Sequence, residues 1–170
     1  MSQKSTTNRN YFKIILGDSM SLRYEDLRLD AEKKQGEIAE ILNVKRNTYS
    51  KWENCINDMP IEKTNELANY YHTTLDYILG LSNVHKTVNK KLLIDWNVLI
   101  IRLLELRKAS MLTQDVLSKK LGFPQTTYSQ YERGIRKPTT MKLLLIAQFY
   151  NVSFDYLVGR TNDPKIIKFN

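Results

Sequence analysis

A chain of 170 residues, 42% hydrophobic and 26% charged, is long enough for one ordinary domain or two very small ones and too apolar to be disordered throughout. No apolar run approaches the roughly 18 residues that span a bilayer, the polar start Met1-Ser2-Gln3-Lys4 is no signal segment, and a single cysteine, Cys55, suits a reducing compartment. A cytoplasmic protein without membrane association is therefore expected, and its formal charge of +8 points to a polyanionic partner.

Residues 1–20 read as an N-terminal extension, in which the apolar run 11–16 fits a short strand and an extra helical turn equally well. Residues 21–80 are expected to form a first domain, with helices at about 33–42, 46–54, 61–71 and 74–79. Asn43 stands at the turn between the first two of these, and asparagine tolerates the left-handed backbone region that a sharp turn needs. Residues 81–90, Leu-Ser-Asn-Val-His-Lys-Thr-Val-Asn-Lys, read as a polar connector. A second domain over 91–160 opens with a long helix at about 91–110, where Leu99, Leu103 and Leu106 recur at helical spacing without Gly or Pro. Thr113 is placed as the N-cap of a helix at about 114–121, and Gly122 supplies the turn after it. A third helix at about 125–133 stops at Gly134 with Pro138 shortly beyond, helices at about 139–150 and 153–158 follow, and 161–170 is a tail. No strand pattern of comparable strength occurs, so the chain is expected to be all-α.

Shifting the sequence against itself by 79 residues pairs 24–80 with 103–159 without a gap, and 15 of these 57 positions are identical. Leu27-Arg28 meets Leu106-Arg107, Gln35 meets Gln114, Thr48-Tyr49-Ser50 meets Thr127-Tyr128-Ser129, Glu53 meets Glu132, and Asp76-Tyr77 with Gly80 meets Asp155-Tyr156 with Gly159. A period this long implies a duplicated domain, because solenoid repeats run at roughly 20 to 50 residues. Charge separates the copies. Residues 24–80 hold 7 Lys+Arg against 11 Asp+Glu, a net −4, and residues 103–159 hold 8 against 4, a net +4.

On the third helix of the second copy, Gln125, Thr126, Ser129, Gln130 and Arg133 form one polar stripe, while Tyr128 and Tyr131 project from the opposite side. Glutamine can bond an adenine edge bidentately in the major groove, and threonine offers a hydroxyl and a methyl to thymine. The alternative is a solvated face of a small helical bundle. Thr113-Gln114, Leu121-Gly122, the run Gln125-Thr126-Thr127-Tyr128-Ser129-Gln130-Tyr131-Glu132-Arg133-Gly134 and Pro138 resemble, together and in order, the Xre/Cro-like helix-turn-helix family that includes the lambdoid phage repressors. The resemblance covers about 103–159 and, with less fidelity, 24–80. It implies two tandem five-helix domains of the lambda-repressor type, in a bacterial or phage protein.

That family sets its third helix in the major groove, with the second helix crossing the backbone. The resemblance therefore implies that Gln125, Thr126 and Gln130 read bases, with Ser129 on the same stripe. It makes Gln114 a phosphate or base contact and places Arg133, Arg136 and Lys137 against phosphates, which position the protein without carrying sequence information. In the first copy the matching residues are Arg46, Asn47, Ser50 and Lys51 on the helix and Gln35 at the helix start. Arginine pairs bidentately with guanine, so the two copies should prefer different sequences. The pairs Arg28 with Glu53 and Arg107 with Glu132 match a buried ion pair of the family. The first copy departs from the pattern where Lys34 replaces the capping hydroxyl, Cys55 replaces the glycine that ends the third helix, and Pro60 lies one position late.

The expected function is a double-stranded-DNA-binding transcriptional regulator, most simply a repressor, controlled by concentration, oligomerisation or a partner. The rival is a protein-binding module of antitoxin or anti-repressor type, with the acidic first domain engaging a protein or a second copy of the chain; RNA binding is a weaker third reading. His72 and His85 lack neighbours at metal-ligand spacing. Trp52, Tyr70-Tyr71 and Phe149-Tyr150 are expected to pack. With no phosphate-cradling glycine loop, nucleophile elbow or paired cysteines, neither an enzyme nor a cofactor is expected.

Overall fold

The computed structural model of the chain describes residues 22–168, so the expectations for the N-terminal extension, the run 11–16 among them, lie outside the described residues. Packing divides the described chain into two compact units, one running to Lys91 and taking in residues 167–168, the other Leu92–Ile166. The first unit holds α1 (Tyr24–Asp30), α2 (Gln35–Ile41), α3 (Arg46–Glu53), α4 (Ile61–Tyr70) and α5 (Leu75–Ile78). The second holds α6 (Trp96–Ala109), α7 (Gln114–Leu121), α8 (Gln125–Glu132), α9 (Thr140–Tyr150) and α10 (Phe154–Leu157). No strand occurs among the described residues, in keeping with the all-α expectation.

Hydroxyl caps set four of the ten described helix starts. Thr113, Thr139, Ser153 and Thr74 each accept from the backbone N–H three residues on, satisfying a donor that the first helical turn leaves open. Lys34 has no acceptor to offer, and α2 compensates from inside: the Glu37 carboxylate accepts from the Lys34 N–H at 2.9 Å. That bond, with the Lys33 ammonium at 2.9 Å, holds the Glu37 carboxyl below the usual carboxylate range.

The long helix of the second unit starts at Trp96, five residues later than its apolar spacing predicts. The cause is Asp95. Its Oδ1 accepts from the N–H groups of Asn97 at 3.0 Å and Val98 at 3.1 Å, while its own N–H donates to the Val158 carbonyl at 2.9 Å, so Asp95 is held outside the helix as its cap. Gly159 permits this approach: at φ +81°, a Cβ there would stand 2.9 Å from the Asp95 Cβ. In the predicted connector, Leu81 and Ser82 are buried, Val88 N–H donates to the His72 carbonyl at 2.8 Å, and the His85 ring meets Tyr77 edge-on at 4.8 Å. This stretch packs on the first unit.

Each unit closes on its own core. Ile38, Leu42, Tyr49, Leu67, Leu75 and Ile78 are fully buried in the first, and Leu103, Leu117, Tyr128, Leu143, Ile146 and Phe154 in the second. Trp52 is buried as expected, whereas Phe149 is 39% exposed and only edges against Tyr150.

Backbone geometry recurs at the same spacing as the sequence. Glu32 and Met111, Asn43 and Gly122, Cys55 and Gly134, His72 and Asn151, and Gly80 and Gly159 are five pairs 79 residues apart, and every member has φ between +51° and +81°. Each pair ends or follows a helix. Side chains with a Cβ pay for the left-handed region, roughly 1–2 kcal/mol per residue. Replacing Cys55 by Gly should therefore raise stability by up to about 1 kcal/mol after loss of its half-buried thiol. Gly134→Ala should lower it, because its φ of +67° is one that a Cβ disfavours, with the Ile100 Cδ1 also having to give way. Urea unfolding midpoints of the two variants would display the opposite signs.

Burial also pushes the phenols of Tyr24, Tyr49 and Tyr128 above their ordinary value of 10.0, and that of Tyr150 up to about 12. The unfolded chain sheds these protons near pH 10 and the folded one later, so the stability they confer is complete below pH 10 and drains away above it. A phenolate absorbance titration should show a late-ionising set of tyrosines that joins the early set only on alkaline unfolding.

Candidate nucleic-acid interface

The second unit builds a polar surface around one buried carboxylate. Glu132, at the last turn of α8, is 8% exposed. Its Oε1 accepts from Arg107 Nε at 2.6 Å, and its Oε2 accepts from Arg107 Nη2 at 3.0 Å and from Gln114 Nε2 at 2.7 Å. The third Arg107 nitrogen, Nη1, donates to the Leu112 carbonyl at 2.9 Å, which ties the loop before α7 to the same group. One carboxylate thus joins α6, α7 and α8. The hydrogen bond and charge of Glu132 raise the Arg107 pKa above its ordinary value, so the guanidinium stays protonated.

A carboxylate only accepts, so Gln114 must turn its NH2 inward and present Oε1 outward. Gln125 Nε2 donates to that Oε1 at 3.4 Å. The first residue of α8 is in this way tethered to the first residue of α7, and its Oε1 and second N–H remain to face outward together. Gln125 and Thr126 are exposed, Ser129 and Gln130 half-buried. On the other side of the helix, Tyr128 is fully buried, its hydroxyl donating to the Leu103 carbonyl at 3.5 Å, and Tyr131 meets the Phe123 ring edge-on. Two anchored tyrosines fix the rotation of α8 about its axis, and that rotation decides which amides meet the solvent.

After α8 the chain folds back, with the N–H groups of Ile135 and Arg136 both donating to the Gln130 carbonyl. Arg133, Arg136 and Lys137 are all exposed on this loop. The Lys137 Nζ lies 4.1 Å from the Trp96 ring centroid, so this cation is also positioned by packing.

In the first unit, Arg28 Nε donates to both Glu53 oxygens, at 2.7 and 3.1 Å, Arg28 Nη1 to the Lys33 carbonyl at 2.9 Å, and Gln35 Nε2 to Glu53 Oε2 at 2.9 Å. Burial pulls the Arg28 pKa down, but the bonds and charge of Glu53 outweigh it and the net shift is upward. Arg46, Asn47 and Lys51 are exposed on α3, and Ser50 is half-buried.

Sequence reasoning missed Arg23 and Arg102. Arg102 Nη1 donates to the Tyr156 and Thr161 carbonyls and its guanidinium lies 3.9 Å from the Tyr156 ring centroid; Arg23 Nη1 does the same with Tyr77 and Ser82, 4.3 Å from the Tyr77 ring. Each clamps the last short helix of its unit. The signal was an identity at the same 79-residue offset, one position ahead of the stretch that was paired. Among the described residues no cluster of His, Cys, Asp and Glu could hold a metal, and no helix is long and apolar enough to cross a membrane.

Truncating one member of a buried pair strands the other charge. Arg107→Ala should cost about 3–5 kcal/mol, whereas joint replacement of Arg107 by Met and Glu132 by Leu should cost much less. A denaturant double-mutant cycle would read the difference directly.

Comparison with known proteins bears on this surface. The Helix-turn-helix family model matches residues 103–157, which run from within α6 to the end of α10. An uncharacterized HTH-type transcriptional regulator, YobD of Bacillus subtilis, is 44% identical over 63 residues, which is 37% of this chain and 56% of that protein. The HTH-type transcriptional regulator ImmR of the same species is 42% identical over 64 residues, 38% of this chain and 50% of ImmR. The cryptic phage CTXphi transcriptional repressor RstR of Vibrio cholerae is 39% identical over 59 residues, 35% of this chain and 53% of RstR. The chain spans about half the length of these curated relatives, and no solved structure matches it. The part of the chain that matches the helix-turn-helix family is thus the segment organised around Glu132, with α7 and α8 as its second and third helices.

Proposed function

We propose that this protein is a sequence-specific double-stranded-DNA-binding transcriptional regulator, most simply a repressor that occupies an operator, and that α8 enters the major groove. The observation that carries the reading is the tether from Glu132 through Gln114 to Gln125. It pre-sets the amide of an exposed glutamine whose remaining donor and acceptor match the N7 and N6 groups of adenine. The match of residues 103–157 to the Helix-turn-helix family and the names of the relatives, all regulators or repressors of transcription, support the same reading.

In this reading Gln125, Thr126 and Gln130 read base edges with Ser129 beside them. Arg133, Arg136 and Lys137 meet phosphates, and Gln114 acts chiefly by orienting Gln125. The chain comprises two tandem five-helix domains of one architecture, over about 21–80 and 91–160, each with its third helix as the reader; the recurrence of five left-handed positions supports duplication. Two such domains in one chain could address two half-sites as a dimer does.

Duplexes enriched from random DNA by the intact protein provide the test. Gln125→Ala should relax base preference at its position by about 1–3 kcal/mol, whereas Arg136→Ala should weaken all duplexes nearly equally and flatten the salt dependence by about one unit. Equal discrimination by Gln125→Ala and the parent chain would remove Gln125 from the reading set. Absence of any salt-dependent gel shift would remove DNA itself.

A further inference from the structure

The two units carry their positive charge in different places on matching backbones. In the second unit, α8 has no Lys or Arg, and three cations, Arg133, Arg136 and Lys137, follow it on the loop. In the first unit the corresponding loop folds identically: Ile56 N–H and Asn57 N–H both donate to the Lys51 carbonyl, as Ile135 and Arg136 do to Gln130, and Cys55 at φ +55° matches Gly134 at φ +67°. The loop positions now hold Asn54, Asn57 and Asp58. Asn54 is turned inward, its Nδ2 donating to the Ser50 carbonyl at 2.8 Å and lying 3.4 Å from the Ser50 hydroxyl. The cations stand instead on the helix and its cap, as Lys45, Arg46 and Lys51, all exposed.

Loop cations and helix cations do different work. Those flanking a reading helix neutralise phosphates and supply affinity that is blind to sequence. Those on the helix itself point at base edges, where arginine and lysine select the O6 and N7 of guanine. We propose that the first unit is a guanine-reading head without a phosphate clamp: Arg46 and Lys51 discriminate sequence in the major groove, while the second unit supplies nearly all the counterion-releasing grip. The inference rests on the DNA-binding reading above and assigns a division of labour within it. It also explains how a unit with net charge −4 can serve on DNA. Held within reach of the duplex by its neighbour, it needs little affinity of its own.

The test uses the full chain and duplexes enriched from random DNA. Joint replacement of Arg46 and Lys51 by Ala should erase a guanine-containing stretch from one end of the enriched sequence. The adenine and thymine preferences set by Gln125 and Thr126 should remain, and the slope of log K against log salt should change by much less than the roughly 1.8 that loss of two phosphate contacts would give. Joint replacement of Asn57 by Arg and Asp58 by Lys should restore the clamp and steepen that slope by about 1.8, at roughly 0.9 per added phosphate contact. Both sets of residues are at or near the surface, and a thermal melt of each variant confirms the fold. Identical enriched sequences from the parent and the Arg46/Lys51 variant, or an unchanged slope on restoring the clamp, would overturn the inference. The first unit would then be left to a protein partner, with the second unit's role in DNA binding intact. Absence of any salt-dependent gel shift by the full chain would instead count against the underlying reading.

Discussion

The second unit depends on one buried carboxylate. Glu132 sits where three helices meet, and its two oxygens accept three charge-assisted bonds, from Arg107 twice and from Gln114 once. Taking this carboxylate out of water would cost several kcal/mol if it were left alone, so the arrangement persists only because Arg107 neutralises it and both oxygens are satisfied. The geometric consequence outweighs the energetic one. Because the carboxylate can only accept, it sets the orientation of the Gln114 amide, and the Gln114 amide sets that of Gln125. A stabilising pair inside the unit is thereby converted into a pre-ordered donor and acceptor at its surface, and pre-ordering lowers the entropy lost when a ligand is met. The same arrangement around Glu53 in the first unit stops one residue short, since Arg46 stands where Gln125 would complete the chain.

Much of this was legible in the residues. Thr113 announced a cap and does cap, Gly122 announced a left-handed turn at φ +68°, and the alternation of Tyr128 and Tyr131 with polar neighbours gave the buried and exposed sides of α8. The pairing of Arg107 with Glu132 came with the family resemblance, at the right positions. What escaped was set by tertiary contacts. Asp95 is a residue type that caps helices, but nothing local says that its N–H will bond Val158, and apolar spacing alone started α6 about a turn and a half early. Glu32, Cys55, His72 and Met111 occupy left-handed positions that their side chains disfavour, and only the repeat, read against the better suited Gly134 and Asn151, exposes two of them. Nor could spacing show that Gln114 spends its donor on a carboxylate; that follows from where α7 and α8 cross.

The two units agree in what holds their helices together and differ on their surfaces. The shared features, an Arg–Glu pair, a Gln on the carboxylate, a tyrosine buried at the centre of the third helix, and an arginine clamping the last helix, all hold helices together. The divergent ones lie on the surface, where substitution costs the fold little. The cations stand on the loop in the second unit and on the helix in the first, and where the second has the capping hydroxyl of Thr113 the first has Lys34, with Glu37 in compensation. Architecture is common to both units, and chemistry at the exposed face is where they part.

A structure of the intact chain on a duplex that it selects would test the central claim most directly. The account predicts α8 in the major groove, with Gln125 Oε1 and Nε2 both about 2.9 Å from one adenine edge and Gln114 still bridging Gln125 to Glu132. A complex in which α8 faces solvent, or in which Gln125 reaches DNA only after leaving Gln114, would contradict it.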